Sequence, residues 1–130
     1  MKICCLFSYD DVATAAENFN FTLIQDLGDK VYNKDGSVKH RTYVWDKGGR
    51  SVLQCKKCGA FFINQWTDYF GPDGDYYYSH YFLVKDLEEA IYLNDKYGGL
   101  ALETECRNKG LAIWESSDIW YWNKETKLMM

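Results

Sequence analysis

The run Cys55-Lys56-Lys57-Cys58-Gly59 places two thiols two residues apart and follows them with a glycine. At this spacing both sulfurs reach one ion from a single tight turn, as the cysteines of structural zinc sites do. Gly59 favours such a turn because a residue without Cβ adopts left-handed backbone conformations at little cost. We therefore predict that Cys55 and Cys58 form half of a zinc site.

Residues 54–62 resemble one knuckle of a zinc ribbon, which implies a zinc-ribbon-like Cys-x-x-Cys-Gly turn at the tip of a β-hairpin. The sequence contains no second Cys-x-x-Cys pair, so a knuckle that holds no metal is an open alternative. A thiol oxidoreductase is a third alternative. Redox-active pairs lie at a helix N-terminus, which lowers the thiol pKa, whereas residues 60–63 are typical of a strand.

The ligands that would complete the site are less clearly marked. Five residues are candidates: Cys4, Cys5, Cys106, His40 and His80. Neighbouring residues of a strand point to opposite faces, so we expect at most one of Cys4 and Cys5 to reach a shared ion. Within one chain, Cys106 with His80 or Cys5 is the preferred complement. Alternatively, two chains each contribute their Cys-x-x-Cys pair at a two-fold axis, which would make a homodimer. If no metal binds, these three cysteines are packing residues.

The remaining pattern predicts an α+β fold with two helices and a mainly antiparallel sheet of hairpins. The first helix is expected over residues 9–19, after a capping box formed by Ser8 and Asp11, and the second follows Asp86 and Glu89 and ends at residues 98–99. Strands are expected over residues 38–45, 51–54, 60–69, 76–84, 100–105, 111–114 and 119–122. Turns are expected at residues 33–36, 47–49 and 71–75, and a loose tail from Asn123.

Length and composition indicate one domain over residues 1–130. A chain of 130 residues with 47% hydrophobic residues suits a single core. No apolar run approaches the roughly 18 residues needed to cross a bilayer. The first apolar residues are too few for a secretory signal. Five cysteines at irregular spacing favour a reducing compartment. We therefore expect a cytoplasmic protein without a membrane segment.

Charge is unevenly distributed along the chain. Residues 39–57 contain six basic residues and one acidic residue, whereas residues 64–105 contain nine acidic residues and two basic ones. A basic hairpin beside Tyr43, Trp45 and Trp66 is typical of a surface that contacts phosphates and stacks on bases. The acidic remainder would repel nucleic acid. A zinc-ribbon-like nucleic-acid-binding protein is therefore an alternative function, and an ordinary solvated hairpin is the plain interpretation.

Aromatic residues are more abundant than a small core requires, with eleven Tyr and five Trp. Tyr and Trp dominate the energetics of protein interfaces. We therefore predict that several are exposed and contact a protein partner, and select Trp66, Tyr69, Tyr77 and Trp120. Stacking on sugar rings is the other use of such a surface.

No catalytic motif is present in the sequence: there is no P-loop, no H-E-x-x-H and no nucleophile elbow. No catalytic residue is nominated, and we expect a protein without enzymatic activity. Together these features predict a small cytoplasmic binding protein of the immunity or inhibitor type that recognises a protein partner and contains a structural zinc knuckle.

Overall fold

The computed structural model describes residues 3–28, 30–32, 38–41, 47–71, 74–97, 99–116 and 119–126. In this part of the chain, six strands form one antiparallel sheet in the order β1-β4-β5-β6-β7-β8, and β2 pairs with β3 separately. The strands are β1 (Phe21–Gly28), β2 (Lys30–Tyr32), β3 (Val38–Arg41), β4 (Lys47–Cys55), β5 (Phe61–Gly71), β6 (Gly74–Val84), β7 (Gly110–Ser116) and β8 (Ile119–Thr126). The predicted antiparallel sheet is confirmed.

Within the described ranges, four helical segments lie beside the sheet. They are a 3-10 helix (Cys5–Ser8), α1 (Val12–Glu17), α2 (Leu87–Lys96) and α3 (Gly99–Lys109). The 3-10 helix and α1 belong to an N-terminal segment, residues 4–19, which covers one face of the sheet. Helices α2 and α3 pack on the opposite face. No helix in the described ranges is long and apolar enough to cross a membrane.

Each face of the sheet contributes to a core because side chains alternate along every strand. On the N-terminal face, the buried Phe62, Leu83 and Ile113 pack with Leu6 and Phe7 of the N-terminal segment. On the helix face, a second buried cluster joins the sheet to α2 and α3: Val52, Ile63, Phe82, Val84, Ala90, Leu93, Leu102, Cys106 and Ala112. Burying one large apolar side chain stabilises a fold by about 1.5–3 kcal/mol, so both layers depend on their contact with the sheet.

A buried polar row crosses the helix face and ties both helices to it. Arg50 Nε donates to Gln65 Oε1 (2.8 Å), and Gln65 Nε2 donates to Glu103 Oε2 of α3 (3.2 Å). Glu103 Oε1 lies 2.9 Å from His80 Nε2. Arg50 Nη1 donates to the carbonyl of Tyr97 (2.5 Å), just after α2. The row places charged groups under the helices, where Arg50, His80 and Glu103 each form at least one hydrogen bond or ion pair within the protein.

The expected strand over residues 100–105 is wrong, because this segment belongs to α3. Leu100, Leu102 and Thr104 occur at every second position, which is the spacing of one face of a strand. Ala, Leu and Glu are also strong helix formers. Leu102 and Cys106 are both buried at the i, i+4 spacing of one helical face. Contact with the sheet therefore selects the helix.

Two further boundaries differ from the sequence-based expectation. The turn predicted at residues 47–49 is instead the start of β4, where Gly49 pairs with Trp66. The first helix begins at Val12, because Asp11 Oδ1 accepts from the Thr14 N–H (2.7 Å) and so acts as the N-cap. Ser8, the expected cap, donates instead to the carbonyl of Cys5 (2.6 Å).

The strand content of two other segments also exceeds the expectation. Strand β1 (Phe21–Gly28) forms an edge of the sheet that the sequence pattern did not delimit. Strand β8 runs to Thr126, so part of the expected loose tail is paired with β7. The turn predicted at residues 33–36 lies outside the described residues. Of the turn predicted at residues 71–75, residues 72–73 also lie outside them, whereas Gly71 belongs to β5 and residues 74–75 belong to β6.

Candidate metal centre

The Cys-x-x-Cys pair lies at the tip of the β4–β5 hairpin. Cys55 is the last residue of β4, and its N–H donates to the carbonyl of Ala60 (2.8 Å). The Gly59 N–H donates back to the carbonyl of Cys55 (2.8 Å). Gly59 has φ 80°, in the left-handed region that disfavours side chains. The turn is therefore closed by the backbone, with its two sulfurs on the inside.

The adjacent cysteines of the N-terminal segment approach the same tip. Cys4 has an extended backbone (φ −71°, ψ 145°), and Cys5 begins the 3-10 helix. The Phe7 N–H donates to the carbonyl of Cys4 (3.1 Å), which closes the helical turn. Leu6 and Phe7 are buried in the N-terminal core and hold this turn on the sheet. The chain thus changes conformation between the two cysteines.

Four sulfurs meet at this point, those of Cys4, Cys5, Cys55 and Cys58, and all lie within 4.8 Å of one another. The Cys4 and Cys58 sulfurs are 3.5 Å apart, and the Cys5 and Cys55 sulfurs are 3.8 Å apart. In a tetrahedron with metal–sulfur bonds of about 2.3 Å, the sulfurs are separated by about 3.8 Å. The four cysteines are therefore close enough to bind one metal ion.

None of the cysteines, all of which lie in the described part of the chain, forms a disulfide. The sulfur separations of 3.5 and 3.8 Å are far longer than a disulfide bond of about 2.05 Å. The expectation that at most one of Cys4 and Cys5 reaches the shared site is wrong. It assumed a strand, in which neighbouring side chains diverge, whereas here an extended residue precedes a helical one.

Burial and hydrogen bonding act on these thiols in opposite directions. Burial, the main cause, raises the pKa of Cys4 above its ordinary range and that of Cys5 to about 11. Burial also opposes ionisation of Cys58. There, hydrogen bonds from the N–H groups of Cys5 and Ala60 and contacts with the other thiols outweigh it and lower the pKa to about 6. Backbone donors thus stabilise negative charge on sulfur at the hairpin tip.

The other candidate ligands lie away from this group. His80 pairs with Glu103 and stacks on Phe82 (ring centroids 5.5 Å apart) on the helix face. Cys106 is buried in the core of that same face, as expected for a packing residue. The side chain of His40 lies outside the described residues. The structure therefore brings Cys55 and Cys58 together with Cys4 and Cys5, and with neither Cys106 nor His80.

Three of the four residues selected for partner binding share the N-terminal face. The strand register places Trp66 opposite Ser79, and Tyr77 lies two residues from Ser79 on the same face. Tyr77 is 41% exposed, while Trp66 is half-buried. Trp120 is half-buried and packs edge-on against Phe19, with ring centroids 5.3 Å apart. Trp120 therefore contributes mainly to the N-terminal core.

The side chain of Tyr69 lies outside the described residues, as do most side chains of the basic segment 39–57. Lys56 and Lys57, between the two cysteines of the tip, are described and exposed. Of the six basic residues of this segment, the side chains of Arg50, Lys56 and Lys57 are described, and Arg50 is buried.

Comparison of the chain with protein-family models, with curated proteins and with solved structures gave no significant match.

Proposed function

We propose that Cys4, Cys5, Cys55 and Cys58 bind one zinc ion that fastens the N-terminal segment to the β4–β5 hairpin. The observation that carries this proposal is the meeting of four sulfurs within 4.8 Å from two segments far apart in sequence. A complete set of four thiolates leaves no open coordination position, which is typical of a structural zinc site rather than a catalytic one.

The surroundings of the sulfurs support a bound cation. Besides the donors to Cys58, the Leu6 N–H donates to the sulfur of Cys4. Hydrogen bonds of this kind orient metal-bound ligands and offset their negative charge. The half of the site on the hairpin is zinc-ribbon-like, and an adjacent cysteine pair replaces the second knuckle. Iron also binds four thiolates in a tetrahedron, so the ligand set alone does not distinguish it from zinc. Elemental analysis of the protein distinguishes the two metals.

Elemental analysis of freshly purified, tag-free protein tests the metal site. We expect about one zinc per chain. A double change of Cys55→Ser and Cys58→Ser should abolish metal binding. Cys106→Ser is the matched control, because it removes a buried thiol outside the group and should leave the zinc content unchanged. About half an ion per chain would instead indicate a site shared by two chains. No metal in any preparation would contradict the proposal.

We further propose that the protein is a small non-enzymatic binding protein that recognises a protein partner, of the immunity or inhibitor type. The supporting observation is that the exposed Tyr77 and the half-buried Trp66 share one face of the sheet. Aromatic side chains of this kind dominate binding energy at interfaces. The net charge of −4 favours a basic partner.

A photo-reactive amino acid in place of Tyr77 tests this recognition. We expect a defined covalent adduct with one protein in extracts and no turnover of substrates by the purified chain. The matched control carries the same group in place of Tyr92, which is 55% exposed on α2, beyond the proposed face. Equal labelling from both positions, or robust hydrolytic activity of the purified protein, would contradict this function.

Nucleic-acid binding is the alternative that the exposed Lys56 and Lys57 favour, because they lie beside the proposed zinc ion at the tip. It requires a salt-dependent shift of single-stranded DNA or RNA. Replacing both lysines by glutamine should abolish that shift. If the chain shifts neither nucleic acid at low salt, this alternative is excluded.

A thiol oxidoreductase remains the third candidate, since the tip contains a Cys-x-x-Cys pair. The pair lies between two strands, whereas redox-active pairs occupy a helix N-terminus. An oxidoreductase would reduce the disulfides of insulin with catalytic turnover, and we expect none.

A further inference from the structure

A cleft of about 420 Å³ opens on the N-terminal face, at the end of β4 away from the cysteine group. It is lined by Leu23, Asp26, Gly28, Gly49, Arg50, Ser51 and Trp66. Pockets of this size are typical of sites that enclose a small ligand or a protein side chain. The cleft is separate from the metal centre, because Ser51 and Cys55 lie four residues apart along one strand.

Trp66 supplies an aromatic wall that the backbone holds in place. It pairs with Gly49, and a Cβ at Gly49 would lie only 2.9 Å from Trp66 Nε1 and 3.4 Å from Cε2. The indole therefore lies directly on the glycine backbone, where no other residue would leave room for it. An aromatic ring fixed in this way binds a ligand without losing much side-chain entropy.

Asp26 supplies a carboxylate that is also fixed. Its Oδ1 accepts from the Gly28 N–H (2.8 Å), at a shift in the pairing of β1 with β4. Asp26 pairs with Ser51 across the two strands, so both side chains are on the face that carries Trp66. The carboxylate is exposed and is available to a ligand.

Of the two charged residues in the described lining, Asp26 and Arg50, only Asp26 directs its charge to the cleft. The Arg50 guanidinium lies on the helix face, where it donates to Gln65 and to the carbonyl of Tyr97. Side chains alternate along β4, so this cation points away from the face that carries Trp66. Among the described residues that line the cleft, Asp26 is then the charged side chain on the face that carries Trp66. Leu23, which is 60% exposed, adds an apolar wall.

We propose that this cleft binds the side chain of an arginine or lysine presented by the protein partner. A cation is attracted both to the face of an indole and to a carboxylate, and the cleft contains one of each. A sugar ring would stack on the indole and donate hydroxyl hydrogen bonds to the carboxylate, but, being neutral, it would not form an ion pair with it. The inference rests on the proposed protein recognition and specifies the chemical group that is recognised.

A short acetylated peptide with two arginines tests the cleft, and the same peptide with citrulline is its uncharged, isosteric control. We expect the arginine peptide to shift the indole N–H resonance of Trp66 in a saturable titration that weakens at high salt. The citrulline peptide should produce no comparable shift. An equal response to both peptides, or a shift with methyl glucoside and none with arginine, would overturn the proposal.

Substitutions locate the binding site. Asp26→Asn and Trp66→Leu should each weaken binding of the arginine peptide by about two- to five-fold, measured by calorimetric titration because Trp66→Leu lacks the indole resonance. Gly49→Ala should weaken it similarly, because the added methyl group displaces the indole while Asp26 stays in place. Tyr92→Ala removes an exposed aromatic residue elsewhere and should not change the affinity. Retained zinc content and circular dichroism show that each variant is folded. Unchanged affinity in Asp26→Asn and Trp66→Leu would overturn the proposal.

The experiments distinguish failure of the cleft proposal from failure of the proposed protein recognition. If the arginine peptide does not bind but the probe at residue 77 still captures a defined protein, the cleft proposal falls and protein recognition stands. If neither is observed, both fall. Zinc content is measured independently of either result.

Discussion

Gly59 permits the backbone turn that brings the sulfurs of Cys55 and Cys58 close together. Its φ of 80° is the conformation in which a side chain costs most. A Cβ there would meet only Gln54 Nε2 at 3.7 Å, an ordinary contact. The requirement for glycine is therefore conformational rather than steric. The sequence predicts this requirement, because a glycine directly after a Cys-x-x-Cys pair favours a turn with a left-handed residue.

Gly59→Val should consequently lower the free energy of unfolding of the zinc-loaded protein by about 1–3 kcal/mol, since a β-branched residue is strained at positive φ. Urea denaturation measures this loss. Gly59→Asn is the control, because asparagine tolerates the left-handed region and should cost less. An equal effect of both changes would show that φ does not limit this turn.

Arg50 illustrates a residue whose role the sequence did not reveal. Its place in the basic segment 39–57 predicts a surface residue, yet Arg50 is only 4% exposed and joins the end of α2 to the sheet. Burial, the main cause, lowers its pKa to about 10. Its Nη2 is buried without a hydrogen-bond partner among the described residues. Such a cation contributes to the interior rather than to a nucleic-acid surface.

Arg50→Met should destabilise the protein by about 1–3 kcal/mol, because Gln65 Oε1 and the carbonyl of Tyr97 lose the donor that satisfies them. Thermal and urea denaturation measure the change. The exposed Lys57→Met is the matched control and should stay within about 0.5 kcal/mol of the parent. If both variants unfold alike, the polar row does not stabilise the helix face.

At the scale of elements, α2 is the helix that local sequence specifies most completely. Asp86 Oδ1 accepts from the Glu89 N–H (2.9 Å), as the pairing of these residues predicted. Glu89 Oε1 accepts in return from the Lys85 N–H (2.9 Å). Helix α3 has no such signal, and the contacts of Leu102 and Cys106 with the sheet determine it. The two helices thus differ in whether local or tertiary interactions select them.

Asp86→Ala should therefore cost about 1 kcal/mol of stability through loss of the N-cap of α2. Asp86→Asn is the control, because the amide oxygen still accepts from the first turn and should preserve most of that stability. The comparison is made by urea denaturation of the two variants. An alanine variant as stable as the asparagine variant would contradict a capping role.

At the scale of the whole molecule, the sheet separates two layers that are held differently. The N-terminal segment contacts the sheet through Leu6, Phe7 and Phe19 and through the cysteine group, whereas α2 and α3 are held by an apolar core and the buried polar row. A zinc ion would join elements about 50 residues apart. Local unfolding should therefore begin in the layer that depends on the ion.

Removal of zinc with a chelator should accelerate hydrogen exchange in residues 4–19 and around the hairpin tip, while the β5–β6 hairpin stays protected. Mass spectrometry after exchange measures both regions in one sample. The Cys106→Ser protein should respond to the chelator as the parent does. Unchanged exchange in residues 4–19 would show that the ion does not fasten this segment.

Features that depend on neighbouring residues along the chain could be predicted from the sequence alone. The Cys-x-x-Cys-Gly tip, the long β5–β6 hairpin and the capped α2 are all specified by turn residues, alternation and capping groups within a few positions. From these follow the antiparallel sheet and half of the sulfur site. The single domain, the cytoplasmic location and the protein partner stay predictions of the same kind.

Which residues complete the sulfur site depends on contacts between segments that are distant in sequence. Cys4 and Cys5 join the pair at residues 55 and 58 because burial of Leu6 and Phe7 fixes a helical turn after an extended residue, and no local pattern encodes that change. The cleft beside Trp66 likewise exists because Gly49 and Trp66 meet across two strands. Contacts between distant residues depend on how whole surfaces pack, and this information is spread over the chain rather than written at the residues concerned.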